Sequence, residues 1–571
     1  MNEDSRLCGT KVNPIISKHI EIGVMSFTLE RGALRHIKVS GTEIIRGIAF
    51  LVRDRDWGTL TPHLTIVSCE NDGEIFSLHL KTKFLTESAS LDVSIFIEAT
   101  HDMLIMRANG TTKGVFETNR AGFTVLHSAG LAGCPVSIRH SDGSIQLSTF
   151  PYLIEPWQPF KDITAITHSA GDLTVDCSFK GDTFEMEDQR QWGDASYKTY
   201  VRPLALPWPY VLSQTQPLIQ SVSIKWRKNE KPISVANKIV SSGKMLFPDT
   251  ALLLMPNDAM RLIDYPTDIA QVSPQRLLCN LNLTTHKIDE SFASYAALQA
   301  AMPHLFFDLE LICGFKISPR SEMALVRSAM EDAGFKPDSV MVCPAIDRIS
   351  TPPGSEWPFC PPLAEIHSAS ADIFGNFIRG GGMVTFFTEL NRKRPPLENL
   401  DFVSHGLCPI VHAADDISVM ETLEAIPHIT YSARAIIGHL DYRVGPSTIA
   451  MRHNPYGEKT IPNPDRGRVC MTDDDPRHRA LFGAAYTIGL ATALAKSGAS
   501  TWTPSEIYGP RGLHGPIKKA ISLLAKCAGK AVHNASISNG LAKLEVGNYH
   551  ITANLTNQFS GDLGPYEFVA T

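Results

Sequence analysis

The spacing of apolar residues changes once along this chain of 571 residues, near residue 240. Before that point, short segments alternate apolar and polar residues with a period of two. After it, short apolar runs alternate with amphipathic segments that are long enough to be helices. Period-two alternation is typical of half-buried strands, and alternating strands and helices are typical of a parallel sheet. An all-β region followed by an α/β region is therefore expected.

The first region contains few stretches that could form helices. Its clearest strands are Ile20–Val24, Leu91–Ile97 and Ser221–Trp226, and Gly, Asn and Asp separate such segments. Many strands over about 200 residues favour a large antiparallel β-sandwich. We assign residues 1–235 to this domain.

Residues 236–525 are expected to form a TIM-like (β/α)₈ barrel, because repeated βα units of this number favour a barrel over an open doubly wound sheet. The candidate strands are Arg276–Leu281, His304–Leu309, Ser339–Cys343, Met383–Phe387, Phe402–Ser404, Ser447–Met451 and Ala499–Trp502. The eighth strand lies either within 507–517 or at Ala251–Leu254. The second placement would raise every strand number by one.

Helix signals separate these strands. Helices are expected at Ser318–Ala333, Leu363–Arg379, Asp416–Ala425 and Pro476–Lys496. Ser318 and Asp475 are suitable N-caps, and each precedes a proline, which suits the first helical position. The glycines of Arg379–Gly382 precede a strand rather than a helix, so they indicate a turn and not a phosphate-binding loop. Alternation returns at Ala542–Val546 and Tyr549–Leu555, which predicts a small C-terminal β-rich segment over residues 526–571.

Composition excludes several classes of protein. The formal net charge of −6 gives no reason to expect binding to nucleic acid or to an anionic membrane. The eleven cysteines lack CxxC spacing, which argues against structural zinc and a disulfide framework and fits a reducing compartment. No apolar run is long enough for a transmembrane helix, and the N-terminus does not resemble a signal peptide. A cytoplasmic protein is expected, and assembly into a homo-oligomer is left open by the sequence.

The segment Phe184–Tyr200 concentrates charged and aromatic side chains. Carboxylates, bidentate donors and planar rings are the groups that hold a small polyhydroxylated molecule. The alternative is a strand and turn whose charges pair with each other. The candidate substrate-binding residues here are Asp188, Arg190, Trp192, Asp194 and Lys198. We expect the segment to reach over the barrel mouth.

The same segment, continued to Tyr210, resembles the signature of the D-apionate lactonase family. Val52–Thr59, Pro156–Asp162 and Phe387–Arg392 match other family motifs in the same chain order. The resemblance extends from about residue 50 to about residue 515. It implies hydrolysis of the branched-sugar lactone D-apionolactone to D-apionate, a step of apiose catabolism.

Two glutamates follow predicted barrel strands, where the active sites of such barrels lie. Glu389 follows the fourth predicted strand and Glu506 the seventh. This placement resembles the acid/base and nucleophile of many retaining glycoside hydrolases. Each glutamate could instead start a helix or form an ion pair. We take both as candidate catalytic residues, with the assignment of base and acid left open.

His412 follows the fifth predicted strand and is the third catalytic candidate, because a histidine can move a proton near neutral pH. Asp415 could fix its tautomer or could cap the next helix. His405 is a weaker candidate in the same region. Further substrate-binding candidates at the expected rim are Asp308, Asn391, Arg392 and Arg452. The long segment Arg452–Asp475 is typical of a lid or an insert.

Other hydrolytic chemistries lack their motifs. The chain has no GxSxG elbow, no HExxH and no His-x-His metal-entry motif. A lactonase without metal or cofactor, acting on a small sugar lactone, is therefore our first hypothesis. A retaining glycoside hydrolase acting on a plant-derived glycoside is the alternative, and a non-catalytic carbohydrate-binding protein is the third.

Overall fold

The computed structural model describes residues 3–55, 57–229, 245–351, 355–457 and 459–571. The chain divides into two compact units. The sandwich unit is Ile15–Arg190 and Ala195–Lys238; the barrel unit is Met1–Pro14, Gln191–Asp194 and Ile239–Thr571. The predicted domain boundary at 235–236 lies outside the described residues.

The sandwich unit is built almost wholly from strands. Helix α1 (Glu3–Leu7) precedes them in the chain, and the strands are β1 (Ser17–Ile22), β2 (Met25–Glu30), β3 (Ala33–Val39), β4 (Thr42–Arg53), β5 (His63–Asn71), β6 (Phe76–Leu85), β7 (Ser90–Ala99), β8 (Met103–Lys113), β9 (Glu117–Thr118), β10 (Arg120–Ser128), β11 (Pro135–Arg139), β12 (Ile145–Thr149), β13 (Ala165–Ala170), β14 (Leu173–Lys180), β15 (Phe184–Asp188), β16 (Ser196–Val201), β17 (Tyr210–Val211) and β18 (Leu218–Lys228).

These strands form two large antiparallel sheets. A seven-stranded sheet has the order β1-β2-β3-β4-β10-β16-β15, and a nine-stranded sheet has the order β12-β11-β13-β14-β18-β8-β7-β6-β5. In β7, Leu91, Val93, Ile95 and Ile97 are buried in the hydrophobic core while the residues between them are partly exposed. Burying an aliphatic side chain of this size contributes about 1.5–3 kcal/mol. The predicted antiparallel sandwich is confirmed.

Eight parallel strands close into a barrel in chain order. They are β19 (Asp249–Leu254), β20 (Arg276–Asn282), β21 (Phe306–Cys313), β22 (Ser339–Pro344), β23 (Ile378–Phe386), β24 (Phe402–Gly406), β25 (Asp441–Val444) and β26 (Thr501–Glu506). The predicted (β/α)₈ barrel is confirmed, with its first strand at the Ala251–Leu254 placement. Glu389 therefore follows the fifth strand and Glu506 ends the eighth, so the fourth-and-seventh assignment was wrong, although the separation of three strands is the same.

The helices of this unit are α2 (Pro256–Asp264), α3 (Thr267–Ala270), α4 (Ile288–Ala301), α5 (Pro319–Asp332), α6 (Leu363–Ile373), α7 (Phe387–Lys393), α8 (Asp416–Glu421), α9 (Ile426–Ile437), α10 (Leu481–Leu494) and α11 (Gly515–Ala525). The Ser318 side chain caps α5 by accepting from the Ser321 amide, as predicted. Asp475 likewise caps a 3₁₀ turn at Pro476–Arg479. The extended backbone of Ala480 separates that turn from α10, so one continuous helix over Pro476–Lys496 was wrong.

One strand prediction and one turn prediction in the barrel were wrong because of local backbone constraints. Residues 447–451 form no strand, and the seventh strand is β25, which ends before Gly445 and Pro446. Gly445 has φ +127° and Pro446 has no amide hydrogen to donate to a ladder. The glycines at 380–382 lie inside β23 instead of forming a turn. A Cβ on Gly380 would lie 2.1 Å from the Phe402 ring, so only glycine fits beside that ring.

The C-terminal residues form a four-stranded antiparallel sheet of β27 (Val532–Ser538), β28 (Leu541–Val546), β29 (Tyr549–Asn554) and β30 (Phe568–Ala570). Strands β27 to β29 pack against α10, which also contacts α9 and α11. These neighbours explain why α10 is buried on all sides and apolar throughout. In the described part of the chain, no helix combines the length and apolar character needed to cross a membrane.

Candidate active site

Glu389 lies in the first turn of α7, directly beyond the C-terminal end of β23. One carboxylate oxygen, Oε1, accepts hydrogen bonds from Ser350 Oγ at 2.6 Å and from Arg392 Nη1 at 3.1 Å. The other oxygen, Oε2, is buried and has no hydrogen-bond partner among the described residues. A buried acceptor without a partner is costly, which marks it as the position for a bound water or a ligand group.

A second buried carboxylate lies near Glu389. Asp347, in the 3₁₀ turn after β22, forms an ion pair with Lys393 through Oδ1. Its Oδ2 is also buried without a hydrogen-bond partner among the residues that the structure describes. Burial raises the pKa of the Asp347 carboxyl, the Lys393 ammonium opposes that rise, and the Glu389 carboxylate adds to it. The negative charges of two buried carboxylates, Asp347 and Glu389, therefore act on each other at the C-terminal end of the barrel.

An aspartate–histidine pair completes this side of the barrel unit. His412 Nδ1 lies 2.7 Å from Asp194 Oδ2, and His412 Nε2 lies 3.3 Å from Tyr456 Oη. Both members of the pair keep some exposure, 14% for the His412 side chain and 20% for Asp194. A carboxylate on Nδ1 favours the tautomer that carries its proton there, which leaves Nε2 able to accept or return a proton.

Trp192 joins these groups. Its ring lies 5.6 Å from the rings of both His412 and Tyr456, and the Arg392 guanidinium carbon lies 5.8 Å from its centroid. The backbone before it is held by Thr388, whose Oγ1 donates to the Gln191 carbonyl at 2.9 Å. The residues Gln191–Asp194 thus group with the barrel unit, although β15 and β16 flank them in the sequence.

Glu506 and Arg452 form a separate part of the rim network. Arg511 Nε donates to Glu506 Oε1 at 2.9 Å. Arg452 forms a bidentate ion pair with Glu310, with Nη1 3.0 Å from Oε2, and Asn280 donates to the same carboxylate at 2.8 Å. Glu506 also acts electrostatically on Arg452. The structure therefore places Glu506, the last residue of the eighth strand, near Arg452, which lies in the segment that follows the seventh strand.

The predicted position of Asp308 at the rim was wrong. Its strand, β21, runs on to Cys313, so Asp308 stands near the strand start and not at its end. Arg276 donates to both of its oxygens, at 2.7 and 2.8 Å, and Arg443 and Ser339 donate to Oδ1 at 3.1 and 2.5 Å. These contacts place Asp308 in an ion-pair network at the N-terminal end of the barrel, the face that contributes to stability in such barrels, and they favour the alternative of pairing with a neighbouring arginine.

Asp188, Arg190 and Lys198 belong to the sandwich unit. Arg190 donates to Asp188 at 2.8 and 2.6 Å, and neither side chain is exposed to solvent. Asp188 also accepts from the Glu155 amide at 3.0 Å. This pair fits the alternative of internally matched charges, and the substrate-binding role of Asp188 and Arg190 stays a prediction. Lys198 pairs with Glu187 at 2.5 Å, and Asn391 is buried within α7.

Arg190→Met is expected to lower the free energy of unfolding by about 3–5 kcal/mol, because it leaves the Asp188 carboxylate buried without its counter-ion. Urea denaturation followed by circular dichroism measures this change. The control is Arg107→Met, which breaks an exposed pair with Glu98 and should cost at most about 1 kcal/mol. Equal losses in the two variants would contradict a structural role for the buried pair.

The alternatives around His412 are resolved by two contacts. Asp415 caps α8, accepting from the Ser418 amide at 2.9 Å, so it does not hold the His412 tautomer. His405 is fully buried and bonds the Tyr442 hydroxyl at 2.7 Å. Burial lowers the pKa of His405 from 6.5 to about 4. A neutral histidine enclosed in this way serves the fold.

This pKa predicts acid sensitivity. Between pH 6.5 and about 4 the unfolded chain protonates His405 while the folded protein does not, so stability is present above pH 6.5 and lost as the pH falls. His405→Asn is expected to reduce the decline of the thermal midpoint between pH 6.5 and 5. Tyr442→Phe, which removes the hydrogen bond but keeps the imidazole, should retain the decline. An identical decline in parent and His405→Asn would contradict this account.

Ser350 and Tyr456 are the site residues that the sequence analysis did not identify. Tyr456 lies in the long segment Arg452–Asp475, whose length was a usable signal. Ser350 lies in a connection without any motif. The Ser350 amide donates to the Pro455 carbonyl at 2.8 Å, which ties these two loops together.

The fold and this cluster indicate a class of protein: a barrel enzyme with candidate acid and base residues at the C-terminal ends of its strands, in a chain that also carries a β-sandwich unit. Residues 5–229 match the family model described as the N-terminal domain of D-apionate lactonase, and residues 250–545 match the model of its TIM barrel domain. A D-apionate lactonase from Brucella anthropi is 43% identical over 521 residues, covering 89% of this chain and 85% of that protein. The chain belongs to the D-apionate lactonase family.

Similarity to solved structures is remote. A putative aldose 1-epimerase from Escherichia coli K12 aligns at 10% identity and a TM-score of 0.26, covering 38% of this chain and 99% of that one. A GH30 endoxylanase from Clostridium papyrosolvens C71 aligns at 10% identity and a TM-score of 0.34, covering 56% of this chain and 83% of that one. Similarity at this level supports no conclusion about function.

Proposed function

We propose that this protein hydrolyses D-apionolactone to D-apionate at the cluster formed by Glu389, Arg392, Trp192, Asp194 and His412. Family membership supports the substrate, because the 43% identical relative is a D-apionate lactonase. The observation that carries the site is the Glu389 carboxylate, which has one oxygen fixed and the other buried without a partner. Lactone opening needs an activated water, stabilisation of the oxyanion and a proton for the ring oxygen.

Glu389 is the base in this proposal. Ser350 and Arg392 hold Oε1, which orients the carboxylate and leaves Oε2 to accept a proton from the attacking water. The water oxygen then forms a bond to the lactone carbonyl carbon, and the carbonyl oxygen gains negative charge. Arg392 supplies the positive charge that stabilises this oxygen, and its side chain is only 3% exposed, so its field is poorly screened.

His412 is the proton donor to the ring oxygen. When the carbon–oxygen bond of the lactone breaks, the leaving alkoxide takes a proton from imidazolium Nε2, and the Asp194 carboxylate stabilises that imidazolium through Nδ1. The proton that Glu389 took from the attacking water is passed back to His412 before the next turnover, so that both residues return to their starting forms. Trp192 offers its face to the sugar ring and lies against both His412 and Arg392. Aromatic faces beside polar groups are common in sites that hold small polyhydroxylated ligands.

Glu506 stays a predicted catalytic residue of this reaction, as a second source or acceptor of the proton. Its carboxylate is bonded to Arg511 and lies near Arg452 and Asp258. Glu506→Gln tests this role directly. A loss of kcat comparable with that of Glu389→Gln would support it.

The test of the proposed function is lactone hydrolysis by the purified protein, followed as proton release in weak buffer, with the product identified by mass spectrometry. D-Apionolactone should be converted to D-apionate, faster than common aldonolactones, and a chelator should leave the rate unchanged. In the described residues, no three His, Cys, Asp or Glu side chains group as metal ligands. Cleavage of aryl glycosides without any lactone turnover would instead support the glycosidase alternative.

A further inference from the structure

A polar cluster lies on one face of the seven-stranded sheet, across β4, β10, β16 and β15. Arg53 and Arg120 are register partners on β4 and β10, and Lys198 and Glu187 are register partners on β16 and β15. Tyr200 lies two residues beyond Lys198 and therefore on the same face. We call this group, with Trp57, the Arg120 cluster. It contains residues of two motifs that the proposed reaction does not use.

In the part of the chain that the structure describes, the Arg120 side chain has no hydrogen-bond or ion-pair partner. Its guanidinium carbon lies 3.8 Å from the centroid of the Tyr200 ring and 5.4 Å from that of Trp57. The residue is 8% exposed, and its Nε is buried without a hydrogen-bond partner. Among the described residues, no carboxylate pairs with this guanidinium and no acceptor bonds it. A guanidinium carries five donors, and an unmatched buried charge is strongly unfavourable.

The neighbouring carboxylates are already engaged. Glu187 pairs with Lys198 at 2.5 Å. Glu185 Oε1 accepts from the Tyr200 hydroxyl at 2.5 Å and from the Leu204 amide at 2.8 Å. Burial lowers the pKa of Lys198, and Arg120 and Arg53 lower it further, whereas Glu187 raises it. Positive charge is therefore crowded at this point, and Arg120 is the cation that these carboxylates leave unmatched.

We propose that Arg120 binds the carboxylate of a sugar acid. The guanidinium edge matches a carboxylate in bidentate geometry, and the rings of Trp57 and Trp208, 5.3 Å apart, give the carbon chain an aromatic surface. The carboxylates of Glu185 and Glu187 accept hydrogen bonds from sugar hydroxyls and disfavour a dianion such as phosphate. The choice of an aldonate, the product class of the lactonase reaction, rests on the proposed function.

Calorimetric titration tests the proposal in full-length protein carrying Glu389→Gln, so that no lactone is turned over. D-Apionate and D-gluconate should bind saturably, D-glucose should not, and inorganic phosphate should bind more weakly than either acid. Adding Arg120→Met should weaken one aldonate-binding event at least 10-fold. Arg107→Met, at an exposed arginine of β8, is the matched control and should bind as the parent does. Unchanged aldonate binding in Arg120→Met, or tighter binding of phosphate, overturns the proposal.

A second readout separates binding from a structural role. Without ligand, Arg120→Met should melt above the parent, because the substitution removes an unmatched buried charge. D-Gluconate should raise the melting temperature of the parent by more than that of the variant. If Arg120→Met does not fold, Arg120→Lys replaces it: weaker aldonate binding supports the proposal, and unchanged binding overturns it.

The two proposals fail separately. Absent lactone turnover in the unmodified protein, together with Arg120-dependent binding of D-gluconate, would refute the lactonase function and leave this site standing. Normal lactone turnover, together with aldonate binding that is unchanged in Arg120→Met, would refute the Arg120 site and leave the lactonase function standing.

Discussion

Glu389→Gln is expected to lower kcat for D-apionolactone hydrolysis by about 10²- to 10⁴-fold, because the amide cannot take a proton from water. The substitution preserves size and the hydrogen bond accepted from Ser350, so the thermal midpoint should change little. Initial-rate measurements of proton release give kcat and KM separately. An effect on KM alone would indicate that Glu389 only binds the substrate.

Glu398→Gln is the matched control for this experiment. Glu398 follows the same helix, α7, but is exposed. Its substitution should leave kcat within about twofold of the parent, since surface changes of this kind rarely perturb a site. If both variants lose activity alike, or if Glu389→Gln retains full kcat, Glu389 is not the base.

Breaking the Asp194–His412 pair is the second prediction. His412→Ala should lower kcat by about 10²- to 10⁴-fold, because it removes the proton donor to the leaving alkoxide. Asp194→Asn should lower kcat as well, since the amide cannot stabilise the imidazolium or hold the proton on Nδ1 in the same way.

The double variant distinguishes a working pair from two independent residues. Groups that act as a unit are strongly non-additive, so Asp194→Asn combined with His412→Ala should be about as slow as His412→Ala alone. The exposed His439 provides the control substitution, His439→Ala, which should retain the parent rate. If the loss of kcat in the double variant equals the product of the two single losses, the two residues act independently and not as a pair.

Apolar patterning was enough to predict the two-part architecture and the barrel, because each strand type has its own period. Prediction from this pattern failed where backbone conformation or side-chain packing determines the local structure. The glycines of β23 predicted a turn, yet they lie in a strand, and residue 380 is glycine because the Phe402 ring occupies the space of a Cβ there. The strand placed at residues 447–451 moved to Asp441–Val444, where Gly445 and Pro446 end the ladder.

The candidate site shows the same limit. The composition of Phe184–Tyr200 indicated a functional segment but did not show which of its residues belong together. Asp188 and Arg190 form an ion pair with each other. Trp192 and Asp194, only a few residues further on, group with the barrel unit. His412 and Asp194 are 218 residues apart, and no local pattern reports a pairing at that distance. Asp415, only three residues from His412, was the nearer candidate and proved to be a helix cap.

A crystal structure of Glu389→Gln soaked with D-apionolactone tests the central claim most directly. We expect a lactone whose ring lies against Trp192, whose ring oxygen approaches His412 Nε2, and whose carbonyl carbon faces a water at residue 389. A lactone bound beside Glu506 and Arg511, without contact to Trp192, Glu389 or His412, would contradict it.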